Sequence, residues 1–149
     1  MREHERNGIR IMLGEYVIDC HDVWMRNPGR IVIPKNKSVS RCELKVAKIL
    51  TGSGFDVIFV PESNVPTPDI IYRGEYWEIK SPVGKSSRTI ENNIRSAIRQ
   101  SSNIIIDLSN IRISEERCLR SAIREIDKRR SMIHKLLIIR KDGSIYTLK

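Results

Sequence analysis

The sequence predicts an α/β protein in which a mixed β-sheet is flanked by helices. Helical and strand patterns alternate from about residue 36 to the C-terminus, in the order α-β-β-β-α-β followed by α-β-β. The length of 149 residues is enough for one domain with a substantial core. A helix that connects two strands packs against the sheet they form, so this order predicts a mixed sheet with helices on it.

The first half of this core is predicted from one helix and three strands. Apolar residues recur at helical spacing over about 41–51, and two glycines end the pattern. Residues 56–60 predict a buried strand, and three prolines mark the loop after it. The stretch "TPDIIYRGEYWEIK" (67–80) then predicts a β-hairpin that turns at Arg73-Gly74.

The second half begins with a helix whose first residues follow Ser86 or Ser87 as the expected cap. The apolar, β-branched run 103–109 is typical of a central strand. A highly charged helix over about 114–130 and a C-terminal hairpin complete the predicted domain, 36–149. We expect residues 1–35 to form a strand-forming N-terminal extension.

Composition narrows the class of protein. The net charge is +9, and such an excess of Lys and Arg favours a polyanionic partner, nucleic acid before a membrane surface. No apolar run has the length of a membrane span, and the polar N-terminus is unlike a secretory signal. The three cysteines are widely spaced, which argues against a disulfide framework or a zinc site and favours action in the reducing cytoplasm.

The predicted hairpin concentrates charge. Its register places Asp69 opposite Glu78, on the face that also carries Lys80. Two opposed carboxylates destabilise a sheet unless a proton or a cation lies between them, and carboxylate oxygens suit Mg²⁺ or Mn²⁺. A bound ion would activate water, and Lys80 would orient that water or stabilise the charge that grows on phosphorus. The alternative is a solvated hairpin in which Lys80 forms an ion pair with one of the acids.

Other side chains are candidates for nucleic-acid binding. The residues before the second helix could hold a phosphate at its N-terminus, although simple capping explains them equally well. Arginines of the third helix could contact a phosphate backbone, although a charged helical face is often only solvated. These candidates are Lys85, Ser86, Ser87, Arg88, Arg120 and Arg124; the basic surface on or near the third helix also includes Arg112, Arg117, Lys128, Arg129 and Arg130.

The hairpin contains Pro68-Asp69 followed by Glu78-Ile79-Lys80, and it lies within the predicted order αβββαβ. This combination resembles the PD-(D/E)xK nuclease superfamily and its restriction-endonuclease-like core. The resemblance implies that Glu43 completes the metal site and that Gln100 lies near the active face. Glu43 could instead form a capping box with Ser40 at the start of its own helix.

More narrowly, the chain from about residue 30 to 149, most strongly over 41–109, looks like the C-terminal toxin domains of CdiA-type contact-dependent growth inhibition proteins. That resemblance implies a metal-dependent endonuclease that cleaves RNA, in particular tRNA, and a cognate immunity protein. It also implies delivery to the cytoplasm as part of a larger secreted toxin. Two alternatives stay open: a DNA endonuclease of the same fold, and a non-catalytic nucleic-acid-binding module.

Overall fold

The computed structural model describes the backbone of residues 3–6, 9–12, 16–20 and 28–149, and the side chains of 28–149. The rest of the predicted extension 1–35 lies outside the described residues. The elements are β1 (Glu3–Arg6), β2 (Ile9–Met12), β3 (Tyr16–Cys20), β4 (Arg30–Ile33), α1 (Arg41–Thr51), β5 (Val57–Phe59), β6 (Ile70–Tyr72), β7 (Glu75–Lys80), α2 (Arg88–Ile98), β8 (Asn103–Asp107), α3 (Glu115–Lys128), β9 (Lys135–Ile139) and β10 (Ile145–Thr147). This order confirms the predicted α/β fold.

The chain divides into two compact units, Met1–Tyr76 and Trp77–Lys149. In the first unit, β1 to β6 pair in chain order. All of these pairings are antiparallel except that of β4 with β5, which α1 connects. The apolar side of α1 packs on this parallel pair, and the fully buried residues there include Ile31, Leu50 and Phe59.

The loop after β6 is the two-residue turn that the sequence predicted. Arg73 has φ +54° and Gly74 has φ +76°, the conformation of a type I′ hairpin turn. Glycine adopts such angles without strain, whereas arginine does not. The Arg73 guanidinium lies 4.8 Å from the centre of the Phe55 ring, a cation–π contact that helps to offset this cost.

In the second unit, β7, β8 and β9 are parallel neighbours and β10 returns antiparallel to β9. All five residues of β8 are buried, as expected for the central strand that its apolar run predicted. The helices α2 and α3 connect the parallel strands, and their apolar faces pack with Ile104, Ile106 and Leu136 in one core. None of the helices within the described residues has the length and apolar character needed to cross a membrane.

The start of α3 is tied to the C-terminal hairpin by Glu115. Its carboxylate accepts hydrogen bonds from the Lys141 backbone N–H at 2.7 Å and from the Arg140 guanidinium at 3.1 Å. The bond from Lys141, helped by the Arg140 charge, holds the pKa of Glu115 below its ordinary value although partial burial acts in the opposite direction. Ser114 caps the same helix by accepting from the Arg117 N–H.

The sequence left Ser86 and Ser87 as alternative caps of α2, and the structure distinguishes between them. Ser87 occupies the capping position, but its side chain makes no capping hydrogen bond. The hydroxyl that accepts from the helix is that of Ser86, which bonds the Arg88 N–H at 3.2 Å. The Ser87 hydroxyl is therefore not used by its own helix.

Candidate functional site

Strand β7 brings Glu78 and Lys80 together. Alternate residues of a strand project to the same face, and the Lys80 Nζ lies 2.8 Å from Oε1 of Glu78. The Glu78 side chain is only 3% exposed, whereas that of Lys80 is 20% exposed. The shared face that the sequence predicted for these two residues is confirmed.

Gln100, just beyond the end of α2, joins this pair. Its Nε2 donates to the same Oε1 of Glu78 at 2.8 Å. A buried carboxylate is costly unless charged or polar donors compensate it, and here one cation and one amide do so. These contacts hold Glu78 in a fixed orientation. We call Glu78, Lys80 and Gln100 the β7 cluster.

The neighbouring strand explains why these contacts are strong. In the parallel register, Glu78 lies beside Ile104 and Lys80 beside Ile106, both fully buried. Apolar neighbours exclude water and lower the local dielectric constant, so each charge acts more strongly on its partner than it would at a hydrated surface. Lys80 still reaches the surface, which leaves its ammonium group accessible to an anionic ligand.

The remaining predicted acids belong to the first unit. Glu43 forms the capping box with Ser40: its Oε2 accepts from the Ser40 N–H at 2.7 Å, and its own N–H donates to the Ser40 hydroxyl at 3.2 Å. Asp69 precedes β6, is half-buried, and its carbonyl accepts from the Val60 N–H at 2.9 Å. The pairing of Asp69 with Glu78 and the metal role of Glu43 stay predictions.

The oxygen atoms of the three predicted acids are of the kind that the expected metal ion prefers as ligands. Carboxylate oxygens are the protein ligands that Mg²⁺ and Mn²⁺ prefer, and Glu43, Asp69 and Glu78 supply them. Within either unit, the described side chains bring no three His, Cys, Asp or Glu residues together around one point. The chemistry of the three acids thus fits such an ion, and their assembly around it is a prediction.

The loop between β7 and α2 is held in place by backbone contacts. Gly84 has φ +134°, and its carbonyl accepts from the Arg112 N–H at 2.7 Å. This anchors the segment that carries Lys85 and Ser86, which together with Arg88 are exposed at the start of α2. The predicted phosphate-binding residues therefore lie on an ordered loop at a helix N-terminus.

A surface pocket of about 550 Å³ opens beside this helix start, lined by Ser87, Arg117, Arg120, Ile123 and Arg124. We call it the arginine pocket. The buried Ser121 hydroxyl donates to the Ser87 carbonyl at 3.0 Å and fixes α3 against the start of α2. Arg117 belongs to the basic surface that the sequence predicted on the third helix, and its i, i+3, i+7 spacing with Arg120 and Arg124 places the three on one helical face.

The other end of α3 is electrostatically different. Glu125 is fully buried and lies within ion-pair distance of Arg129 at 2.9 Å, Arg95 at 3.7 Å and Lys128 at 3.8 Å. Beside it, Arg130 pairs with Asp127 at 3.1 Å. Each of these four cations thus has a carboxylate within ion-pair distance, although the two carboxylates balance only half of their charge.

Comparison with known proteins agrees with this architecture. No curated protein matches the sequence. In structure the chain is similar to a chain of the "CdiA-CT/CdiI toxin and immunity complex from Burkholderia pseudomallei". The two chains share 24% sequence identity with a TM-score of 0.56, and the match covers 78% of this chain and 92% of the other. Residues 66–145, more than half of the chain, match the family described as "Contact-dependent growth inhibition CdiA C-terminal domain". This chain therefore belongs to the CdiA C-terminal domain family of contact-dependent growth inhibition proteins.

Proposed function

We propose that the chain is a toxin-type endonuclease of the PD-(D/E)xK superfamily that hydrolyses phosphodiester bonds in RNA, in particular tRNA. The observation that carries this proposal is the β7 cluster, in which a buried carboxylate holds a partly exposed lysine at 2.8 Å. Membership of the CdiA C-terminal domain family supports the toxin role. The net charge of +9 supports a nucleic-acid substrate.

In this proposal Lys80 is the residue that meets the reacting phosphate. Its ammonium group either orients the attacking water or stabilises the negative charge that develops on the phosphoryl oxygens. Glu78, which is itself held by the hydrogen bond from Gln100, limits the motion of the lysine. Preorganised charge of this kind stabilises a transition state without reorganisation during the reaction.

Asp69 and Glu78, with Glu43, would hold Mg²⁺ or Mn²⁺. When bound, such an ion coordinates a phosphate oxygen and lowers the pKa of a coordinated water. The residues of the chain supply the carboxylate ligands and the adjacent ammonium group.

We further propose that the domain works in the cytoplasm of a target cell, after delivery as part of a larger secreted toxin, and that a cognate immunity protein neutralises it. The support is the family and the likeness to a complex of a toxin with its immunity protein. An excess of positive charge on the toxin suits an acidic inhibitor as well as RNA.

The proposal is tested by incubating the wild type and Asp69→Ala with total tRNA, ribosomal RNA and plasmid DNA, each with Mg²⁺, Mn²⁺ or EDTA. Asp127→Ala is the matched control, because it removes an exposed acid that pairs only with a surface arginine. We expect discrete tRNA fragments that need metal, persist in the control and vanish in Asp69→Ala. Cleavage of plasmid alone would identify a DNA endonuclease of the same fold. RNA binding without any cleavage would favour a non-catalytic module.

A further inference from the structure

The arginine pocket differs from the other end of α3 because, among the described residues, two of its three arginines have no carboxylate partner. Among the described residues, Arg117 and Arg124 have no carboxylate within ion-pair distance, and only Arg120 pairs, with the exposed Glu116. At the other end of α3 a fully buried acid draws three cations to itself. Uncompensated guanidinium groups that line one concavity repel one another and gain free energy when an anion enters.

The groups in the pocket match a phosphate. Guanidinium groups donate in a planar fork that fits two phosphate oxygens at once. The Ser87 side chain makes no capping bond, so its hydroxyl can donate to a ligand. The volume of about 550 Å³ admits a phosphate with its sugar rather than an isolated ion alone.

The position of the pocket relative to the β7 cluster follows from α2. Ser87 directly precedes the first residue of this helix. Gln100 lies two residues after the last residue of the helix and donates a hydrogen bond to Glu78. At about 1.5 Å per residue, the 13 steps from Ser87 to Gln100 correspond to roughly 20 Å along the helix axis. Successive phosphates of one strand are about 3.4 Å apart along the axis of a DNA duplex, so this distance corresponds to about six phosphates, or slightly more in the more compact A-form helix of RNA.

We propose that the arginine pocket is a second RNA-binding site, which anchors a backbone phosphate about six positions from the phosphate that lies at Lys80. The inference rests on the proposed nuclease function for its reference point, and it adds Arg117 as a residue that binds substrate. The anchor makes the enzyme favour RNA with a continuous duplex arm over short fragments, because only an extended strand occupies both places.

The test uses fluorescein-labelled bulk tRNA in EDTA, so that binding is measured without cleavage. Arg117→Gln/Arg124→Gln removes two exposed guanidinium groups, and Arg130→Gln, which removes an exposed guanidinium paired with Asp127 at the other end of α3, is the control for loss of charge. Two lost phosphate contacts lower the slope of log Kd against log salt by about 1.4–1.8 and weaken binding at least about tenfold at physiological salt. Arg130→Gln is expected to change neither quantity appreciably. Equal effects of the two changes, or none from the double variant, would overturn the anchor.

A cleavage measurement separates this inference from the proposed function. With tRNA and Mg²⁺, the double variant is expected to raise KM about tenfold or more and to leave kcat unchanged, since Lys80 is intact. A loss of kcat at unchanged KM would contradict the anchor while leaving the nuclease intact. If the wild type cleaved no RNA, the nuclease function would fail. The binding of labelled tRNA in EDTA would still decide whether the pocket binds a phosphate backbone.

Discussion

Replacing Lys80 by methionine tests whether Glu78 is held as a buried carboxylate. The change keeps the length of the side chain but removes the charge 2.8 Å from an acid that is 3% exposed. Breaking a buried ion pair by removing one partner costs about 3–5 kcal/mol, because the remaining charge stays buried. The cost here is lower, since Gln100 still donates to Glu78 and the lysine was partly solvated. We expect a loss of about 2–4 kcal/mol in the free energy of unfolding.

Removing the acid instead is expected to be milder. In Glu78→Gln the lysine, already 20% exposed, can extend into water, so the loss is about 1–2 kcal/mol. The double variant Glu78→Gln/Lys80→Met carries no buried charge and is expected to be more stable than Lys80→Met alone, with a coupling energy of about 1–3 kcal/mol. This asymmetry follows from the unequal burial of the two groups.

Urea denaturation followed by circular dichroism measures all three variants, with Arg130→Gln as the control for an exposed ion pair. Both members of that pair are well exposed, so its loss should cost less than about 1 kcal/mol. If Lys80→Met is as stable as Arg130→Gln, or if the double variant loses the sum of the single effects, the buried-pair interpretation is refuted.

Three further predictions concern other parts of the fold. Trp77→Ala is expected to cost about 3–5 kcal/mol in thermal or urea unfolding because Trp77 is buried, whereas the exposed neighbour Tyr76→Ala should cost little; equal losses would contradict the assigned burial. Gly84→Ala should cost about 1–3 kcal/mol because its φ of +134° strains any side chain, and an unchanged melting temperature would show that the loop adopts another conformation. Because the pKa of Glu115 is lowered, its charge stabilises the fold above the ordinary carboxyl pKa and this contribution disappears as the pH falls through the lowered value. Glu115→Gln should therefore destabilise at pH about 7 and much less at about pH 3; a loss that does not vary with pH would contradict the ionic contribution.

Much of the fold could be predicted because its local patterns agree with its tertiary environment. The apolar run of β8 is buried on both faces, and the two-residue turn at Arg73-Gly74 lies where the hairpin pattern required it. The shared face of Glu78 and Lys80 followed from strand alternation alone. Each of these features depends on residues close in the sequence.

What the sequence could not supply depends on contacts between distant segments. The Ser87 carbonyl accepts from the hydroxyl of Ser121, 34 residues away, a contact that no local pattern at the start of α2 predicts. The gathering of Arg95, Lys128 and Arg129 around one acid depends on the burial of Glu125, which no charge pattern in a single helix reveals. Arg117 lines a pocket because α3 packs beside the start of α2, and this contact joins segments that are distant in the sequence.

The most direct test of the central claim is the single-turnover rate of tRNA cleavage by Lys80→Met in Mg²⁺, below its melting temperature and beside the wild type. If Lys80 acts on the reacting phosphate, the rate should fall by about 10²–10³-fold while the affinity for tRNA measured in EDTA is retained. A folded Lys80→Met that cleaves tRNA at the wild-type rate would contradict the account, because the β7 cluster would then be a structural ion pair and the chemistry would lie elsewhere.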